Sequence, residues 1–248
     1  MSGSRLQDAL GAKERIFGGW VVGPTIIGPE EFAHTGYDYV GFDCQHGYLD
    51  DADVALMLRR LEHVPIATAV RLPSAAPGPI GRVLDAGADA VIIAMVESPQ
   101  QAAAAVSATR YTPAGVRSFG PLRASLGLDP AAHEARTSVF AMIETARGLE
   151  ALDEICAVDG LGGVYVGPGD LAVSLGRAPA DALTTAAVID AITRIRAAAE
   201  AAQIVPAIHA SAGKSGKAMA ELGFRMITLA SESQALRRGA AEHLREAQ

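Results

Sequence analysis

Short apolar runs of strand length alternate with longer amphipathic stretches along almost the whole chain. The runs are rich in Val, Ile and Ala, and the apolar positions between them recur at the spacing of one helix face. The pattern predicts strands over residues 16–22, 37–42, 66–71, 90–96, 139–144, 163–166, 205–209 and 225–230. It predicts helices over residues 30–34, 51–62, 79–86, 99–109, 146–157, 185–202, 214–222 and 234–246. Eight strands alternating with eight helices favour a closed parallel barrel.

Glycines separate several predicted helices from the strands that follow them, at Gly36, Gly87 and Gly223. Glycine suits the left-handed C-terminal cap of a helix, so these are short helix-to-strand connections. The segments that follow the strands are longer, and the active site of a (β/α)₈ barrel is built from them. We predict one (β/α)₈ barrel domain over residues 1–248, with a helix before the first strand and a C-terminal helix in an oligomer contact. An open doubly wound sheet is the alternative.

Composition excludes several classes of function. The 248 residues include 28 acidic and 21 basic side chains, which are interspersed along the chain and give a formal net charge of −7. This charge pattern argues against a nucleic-acid partner. No apolar run approaches the roughly 18 to 20 residues that span a bilayer, and the N-terminus lacks a signal pattern. We therefore expect a soluble, cytoplasmic protein without a membrane partner. Cys44 and Cys156 match neither a disulfide framework nor a CxxC metal pair.

Polar side chains stand at the carboxyl ends of the predicted strands, where a barrel would gather them at one mouth. They are Trp20, Asp43, Gln45, His46, Arg71, Glu97, Glu144, Asp170, His209 and Ser231. The segments 118–133 and 209–214 are expected to line the outer part of this mouth. Each polar residue has a plainer interpretation, because an acid after a strand is often only a helix cap.

Glu144 and Asp170 are the natural pair of ligands for a divalent metal ion. Two carboxylates leave several coordination positions for water and substrate, which favours Mg²⁺ or Mn²⁺ over zinc. The glycines before Asp170 would expose backbone N–H groups that could receive a carboxylate. The alternative for Glu144 is a cap on the helix that begins near Thr145.

Other reaction types are poorly supported. The only lysines are Lys13, Lys214 and Lys217, and none lies in a predicted strand, which disfavours an imine-forming aldolase. The AGKS sequence at residues 212–215 lacks the first glycine of a phosphate loop, and no Gly-x-Ser-x-Gly elbow follows a strand. Cys44 is expected to point away from the mouth rather than act as a nucleophile.

Five short motifs give the chain a family resemblance: FDCQHG at residues 42–47, VR at 70–71, RYTPAGVR at 110–117, IET at 143–145 and VGPGDL at 166–171. In this order and spacing they resemble the class II pyruvate aldolases of the hydroxy-oxoheptanedioate aldolase family, relatives of the citrate lyase β subunit. Two positions depart from the pattern. Gln45 stands where many members carry glutamate, and Ala94 stands where a Val-Pro-Met-Val strand is common.

The resemblance implies a lyase that cleaves or forms 4-hydroxy-2-oxo acids, giving pyruvate or a related 2-oxo acid and an aldehyde through a metal-stabilised enolate. Carboxylates matching Glu144 and Asp170 would hold Mg²⁺ or Mn²⁺, with Co²⁺ as a further option. The 2-oxo acid would bind near Trp20, Gln45, Gly169 and Asp170. Arg71 would add positive charge at its keto oxygen, and His46 would be the general acid/base.

The family also pairs its histidine with an aspartate that matches Asp85. Asp85 precedes a helix-to-strand turn at the opposite end of the barrel, so a catalytic role would require it to act across a subunit interface. The resemblance thus implies a homo-oligomer, a hexamer in the family. The alternatives are a citrate-lyase-like or phosphoenolpyruvate-mutase-like lyase, and a metal-binding barrel without turnover.

Overall fold

The computed structural model describes residues 4–248 and forms a closed barrel of eight parallel strands. Each strand pairs with the next in chain order, and the eighth pairs with the first. The strands are β1 (Ile16–Val21), β2 (Tyr39–Asp43), β3 (Ala67–Leu72), β4 (Ala90–Ile93), β5 (Ser138–Ile143), β6 (Gly163–Val166), β7 (Val205–His209) and β8 (Met226–Ser231). The predicted (β/α)₈ barrel is confirmed, and the open doubly wound sheet is wrong.

Helices connect the strands on the outside of the barrel. They are α1 (Arg5–Ala12), α2 (Ile27–His34), α3 (Asp51–Arg60), α4 (Pro77–Asp85), α5 (Pro99–Thr109), α6 (Pro130–Ala135), α7 (Ala146–Glu150), α8 (Leu152–Cys156), α9 (Pro168–Ser174), α10 (Ala186–Ala201), α11 (Gly213–Glu221) and α12 (Glu232–Ala247). None of the helices within residues 4–248 is long and apolar enough to cross a membrane.

The predicted helices differ from the structure in two places. The single helix expected over residues 146–157 is two short helices that meet at Ala151. The short helices α6 and α9 were not among the predicted helices, although the Gly-Pro-Gly-Asp turn at residues 167–170 does enter α9. Both begin with proline, whose fixed φ suits the first helical position, but they are too short to show a helical period.

The core has two layers, one inside the barrel and one between the strands and the outer helices. Large side chains such as Tyr39, Tyr165 and Phe140 fill the interior, and Leu6 and Leu10 of α1 join this inner layer. Burial of apolar surface in both layers is the main stabilising force.

The upper part of the barrel interior forms the base of the functional face. The ring of Trp20 lies against Gly41 on the neighbouring strand, where an added Cβ would come 2.2 Å from the ring. Below it, the hydroxyls of Tyr39 and Tyr165 hydrogen-bond to the Thr228 hydroxyl at 2.7 and 2.6 Å. These hydrogen bonds satisfy the buried hydroxyl groups inside the barrel.

Candidate active site

A cavity of about 640 Å³ opens at the carboxyl ends of the strands. It brings together residues that are distant in sequence, as the barrel prediction requires. Of the predicted site residues, its lining includes Trp20, His46, Arg71, Gly169 and Asp170, together with His209 and Ser231. Glu97 is not part of the lining and instead forms an ion pair with Arg147 at 3.2 Å.

Asp43 holds the base of this cavity together. Its carboxylate accepts hydrogen bonds from the guanidinium of Arg71, at 2.9 Å from Nε, and from the Trp20 indole at 3.1 Å. Burial opposes ionisation of Asp43, but the hydrogen bonds and charge of Arg71 outweigh it and keep the pKa of the carboxyl below its usual value. Its place at the end of β2 predicts that Asp43 lies at the mouth, but the contacts with Arg71 and Trp20 depend on side-chain orientations that a strand-end position does not specify.

Arg71 is oriented rigidly by this ion pair. Its Nε and Nη2 are both directed at Asp43, and its guanidinium lies 5.5 Å from the centre of the Trp20 ring. Nη1 has only a weak acceptor, the Met142 sulfur at 3.9 Å. One end of the guanidinium therefore remains available to an oxygen atom in the cavity.

Glu144 follows β5 and is almost completely buried. Its Oε1 accepts a hydrogen bond from the Met95 N–H at 2.8 Å, while Oε2 has no partner within residues 4–248. Burial, with a smaller contribution from the charge of Asp170, raises the pKa of Glu144 to about 7. The helix-cap alternative is wrong, because the Thr145 hydroxyl caps α7 by accepting from the Gly148 N–H at 3.0 Å.

The backbone at Met95 positions Glu144. Met95 has φ of 55°, in the left-handed region that side chains other than glycine rarely adopt. This conformation aims its N–H at Glu144 Oε1 and leaves Oε2 directed elsewhere. A single sequence carries no signal for such a conformation at a methionine, so Met95 was not predicted as part of the site.

Asp170 is the third residue of α9 and makes no side-chain cap on that helix. Its charge acts on Glu144, and Gly167 joins β6 to α9, the helix that carries Asp170. A Cβ at Gly167 would lie 2.5 Å from Glu144 Oε2, so glycine keeps the space beside that oxygen open. In the first turn of α9 the N–H groups of Gly169 and Asp170 have no intrahelical acceptor.

These residues fit a divalent metal ion. Within residues 4–248 no group of three or more His, Cys, Asp or Glu side chains is arranged to hold a metal, so the candidate is a two-carboxylate site. An unpartnered, buried carboxylate oxygen beside a second acid calls for a positive charge, and hard oxygen ligands match Mg²⁺ or Mn²⁺.

The two histidines of the cavity differ in environment. His46 is exposed at the rim, where its backbone N–H donates to Asp43 Oδ1 at 3.0 Å. His209 packs edge-on against Trp20, with ring centres 5.3 Å apart. Burial, together with the nearby charge of Arg71, lowers the pKa of His209 to about 4. His209 is therefore neutral at pH 7.

The lowered pKa of His209 predicts a pH dependence of stability. Below about pH 6.5 His209 becomes protonated in the unfolded chain but stays neutral in the folded chain. The free energy of unfolding should therefore decrease as the pH falls from about 6.5 to about 4, by roughly 3 kcal/mol at most. Urea unfolding of the wild type and His209→Gln between pH 4 and 7.5 measures this contribution. The variant should lose less stability over this range, whereas the exposed His34→Gln should follow the wild type. Equal slopes for wild type and His209→Gln would contradict the assignment.

Three predicted site residues lie outside the cavity lining, namely the buried Glu144 described above, Gln45 and Asp85. Gln45 is half-buried and contributes its backbone N–H to Asp43 Oδ1 at 3.0 Å. Asp85 ends α4 and lines a separate cavity of about 650 Å³, where Arg117 donates to its Oδ1 at 2.7 Å. Burial raises the pKa of Asp85 even though Arg117 opposes this shift. Within one chain, Asp85 and His46 thus belong to different cavities.

Two lesser expectations have different outcomes. Cys44 packs against the outer core, and burial raises the pKa of its thiol to about 12, which leaves no thiolate for nucleophilic attack at neutral pH. The expectation that segment 118–133 lines the mouth is wrong for this chain. Ser118 and Leu122 line the second cavity, and the Leu122 N–H donates to the Asp85 carbonyl at 2.8 Å.

Comparison with known proteins gives consistent matches over nearly the whole barrel. The profile of the family described as HpcH/HpaI aldolase/citrate lyase matches residues 17–238. The chain is 38% identical over 232 residues to a hydroxypyruvate/pyruvate aldolase of Rhizorhabdus wittichii, covering 92% of each protein. It is 33% identical over 242 residues to a 4-hydroxy-2-oxo-heptane-1,7-dioate aldolase of Salmonella arizonae, covering 94% of this chain and 90% of that protein. A solved HpcH/HpaI aldolase/citrate lyase family protein from Burkholderia cenocepacia superposes with a TM-score of 0.88 at 30% identity, covering 98% of each chain.

Proposed function

The chain belongs to the HpcH/HpaI aldolase/citrate lyase family and is a carbon–carbon lyase, and we propose that its barrel mouth performs aldol cleavage and formation of 4-hydroxy-2-oxo acids with the residues assigned below. The products of cleavage are pyruvate or a related 2-oxo acid and an aldehyde. The observation that carries the assignment is the buried Glu144 oxygen without a partner. The charges of Asp170 and Arg71 both act on this carboxyl, and the oxygen lies beside Gly167, which lines the same cavity as Arg71 and Asp170.

Glu144 and Asp170 would hold the divalent ion on which this family depends. When bound, the ion supplies positive charge to the carboxylate and keto oxygens of a 2-oxo acid. Mg²⁺ or Mn²⁺ suits the two hard oxygen ligands best, and Co²⁺ is a further candidate. Met95 fixes the orientation of Glu144 through its backbone N–H, so that Oε2 remains the ligand atom.

The 2-oxo acid would lie on the ring of Trp20, with its carboxylate near the free N–H groups of Gly169 and Asp170. Arg71 Nη1 would donate to the keto oxygen, because Asp43 already occupies the other side of the guanidinium. Such a prearranged donor stabilises negative charge that grows on the keto oxygen as the carbon–carbon bond breaks. Gln45 would also contact the substrate, as the family resemblance implies, with its backbone N–H held by Asp43 Oδ1.

His46 would move the proton of the 4-hydroxyl group. In the cleavage direction its ring takes this proton, the aldehyde carbonyl forms, and the electron pair of the C3–C4 bond passes to C3 and the keto oxygen. A proton then adds to C3 to give the methyl group of pyruvate. His46 lines the cavity and is exposed to solvent, so it can exchange the proton it takes with water.

Asp85 would act on His46 from a neighbouring subunit of a homo-oligomer, a hexamer by family resemblance. The C-terminal helix α12 supports an oligomer, because it buries none of its side chains and exposes Leu236 and Leu244. The pair of Asp85 and Arg117 lies beside an apolar cavity that includes Leu56 and Val116, both well exposed in the single chain.

Complementation tests this arrangement. Asp85→Asn and His46→Ala are each expected to lower cleavage strongly as pure proteins, whereas their co-expression should restore part of the activity. Mixed oligomers contain some interfaces at which an intact His46 meets an intact Asp85. Asp153→Asn, on the outer helix α8, is the control partner. When it is co-expressed with His46→Ala, the activity should not exceed that of the Asp153→Asn subunits alone. Full activity of pure Asp85→Asn would show that Asp85 has no role in the reaction.

The function itself is tested by following pyruvate release from 4-hydroxy-2-oxo acids with lactate dehydrogenase. Cleavage should require Mg²⁺, Mn²⁺ or Co²⁺ and should cease in excess chelator. Cleavage that continues in chelator, or a covalent pyruvate adduct trapped by borohydride, would overturn the proposal.

A further inference from the structure

The guanidinium of Arg117 is buried beside Asp85, away from the residues that line the barrel mouth. We propose that Arg117 is a positioning residue for aldol cleavage, because it holds the Asp85 carboxylate as an anion and leaves one of its oxygens free for His46 of the partner subunit. The inference rests on the proposed function, in which Asp85 acts on the proton-transferring histidine of a neighbouring chain.

Arg117 contacts only one of the two oxygens of Asp85. Its Nη2 donates to Asp85 Oδ1 at 2.7 Å, whereas Oδ2 is accessible and has no hydrogen bond to any residue in the range 4–248. Pairs of arginine and a carboxylate often use both oxygens, as Arg71 and Asp43 do in the mouth. The side chain of Arg117 is 2% exposed, while that of Asp85 is 16% exposed and lines the second cavity. The single contact therefore fixes the carboxylate and keeps Oδ2 open to that cavity.

The positive charge of Arg117 is directed mainly to Asp85. Within the described part of the chain, Nε and Nη1 of Arg117 have no hydrogen-bond acceptor, and the Tyr111 ring lies 4.7 Å from the guanidinium carbon instead. An aromatic face attracts a cation, but more weakly than a hydrogen-bonded carboxylate does. No second acid in residues 4–248 forms an ion pair with Arg117, so the pair with Asp85 is not weakened by competition.

The segment around Arg117 is itself held in place. The backbone N–H of Arg117 donates to the Arg110 carbonyl at 2.9 Å. The backbone N–H of Tyr111 donates to Glu134 Oε1 at 2.7 Å, and the Tyr111 hydroxyl hydrogen-bonds to His133 Nδ1 at 2.9 Å. These contacts order the guanidinium within one chain, so that orienting Asp85 costs little further ordering when subunits associate.

Few other charged or titratable groups face Asp85. They are His133 of α6 and Tyr111, and the lining contributed by α3 and by residues 116–122 is uncharged. Arg82 of α4 lines the same cavity, but its charge is paired with an acid of α3 at 2.7 Å. Burial raises the pKa of Asp85, and the hydrogen bond and charge of Arg117 oppose this rise. Arg117 is thus the main group that favours the anionic form.

Arg117→Gln should change the pH dependence of aldol cleavage. Loss of the positive charge favours the protonated forms of both Asp85 and His46 of the partner subunit. The acid limb of kcat/KM, where activity falls at low pH, should therefore move to higher pH by about one unit. At pH 7.5 kcat/KM should fall by about 10- to 100-fold, the effect of one charge-assisted hydrogen bond. Arg117→Lys keeps the charge and should keep the acid limb of the wild type.

The position of the acid limb does not depend on the fraction of active enzyme, so a purely structural role of Arg117 would not move it. Arg117→Met, a second neutral variant, should move the limb in the same direction. Size-exclusion chromatography provides assembled oligomer of each variant for the measurement. Arg82→Gln is the matched control, because it removes a positive charge from the same cavity without a contact to Asp85. It should keep the wild-type limb.

A double variant shows whether Arg117 acts through Asp85. Asp85→Asn combined with Arg117→Gln should cleave at the rate of Asp85→Asn alone, since the interaction is already lost. Methyl-proton exchange of pyruvate in deuterated water, which does not need the histidine, should stay close to the wild-type rate in Arg117→Gln. An unmoved limb in both neutral variants, an equal shift in Arg82→Gln, or a further loss in the double variant would overturn the inference.

Failure of this inference can be told apart from failure of the proposed function. If Asp85→Asn is impaired while Arg117→Gln keeps the wild-type rate and acid limb, only the role of Arg117 is wrong. If Asp85→Asn cleaves at the wild-type rate, the proposed role of Asp85 fails and that of Arg117 fails with it. If the wild type cleaves no 4-hydroxy-2-oxo acid, the proposed function itself is wrong.

Discussion

Replacing Glu144 with glutamine is expected to abolish aldol cleavage and to weaken divalent-metal binding by more than 100-fold. Changing a group that only orients a metal ligand typically costs about 10- to 100-fold in affinity, and Glu144 would be one of only two protein ligands. The amide oxygen can still accept the Met95 N–H, so the fold should survive. Isothermal titration with Mg²⁺ and Mn²⁺ measures the affinity, and circular dichroism checks the fold.

Glu97→Gln is the matched control, since it removes a carboxylate at the same end of the barrel but outside the cavity. It should retain the metal affinity and the cleavage rate of the wild type. If Glu144→Gln binds Mg²⁺ as tightly as the wild type, the two-carboxylate site is wrong. If Glu97→Gln loses the metal as well, the site extends beyond the residues assigned to it.

Replacing Arg71 with lysine is expected to lower kcat by about 10²- to 10³-fold, the usual effect of losing one donor to a developing negative charge. A single ammonium cannot contact both oxygens of Asp43 and also reach the keto oxygen, whereas the guanidinium has donors on both sides. Mg²⁺ affinity should remain close to that of the wild type. Steady-state cleavage kinetics combined with metal titration would separate the two effects.

Arg147→Lys provides the control, because Arg147 is exposed and pairs with Glu97 outside the cavity. It should cleave substrate at the wild-type rate. A second variant, Arg71→Met, should lower the free energy of unfolding by about 3–5 kcal/mol, since it leaves the buried Asp43 carboxylate without its counter-charge. Wild-type turnover in Arg71→Lys would remove Arg71 from the mechanism.

The barrel could be predicted from sequence because its periodicity is strong. β6 and β7 were predicted with their observed bounds, and glycines such as Gly36 and Gly87 do adopt positive φ at the helix-to-strand turns. Less regular elements were missed for a physical reason. α6 and α9 are shorter than two helical turns, so their apolar positions cannot repeat at helical spacing.

The sequence was enough to predict several residues of the site, but not the hydrogen bonds that connect them. Placement at strand ends was enough to bring His46, Arg71 and Asp170 into one cavity. It could not show that Asp43 holds Arg71 and Trp20, because those contacts depend on side-chain orientation across three strands. The left-handed backbone conformation at Met95 could not be predicted either, because methionine has no preference for it.

The central claim is a division of work, in which the Glu144 and Asp170 site with Arg71 activates the 2-oxo acid and His46 moves the proton of the hydroxyl group. Methyl-proton exchange of pyruvate in deuterated water, followed by NMR beside aldol cleavage, tests this division most directly. Wild-type enzyme with Mg²⁺ should do both, and chelator should stop both. His46→Ala should still exchange the methyl protons, while its cleavage rate falls by roughly 10²- to 10⁴-fold. Cleavage by His46→Ala at the wild-type rate, or wild-type exchange that continues undiminished in chelator, would contradict the account.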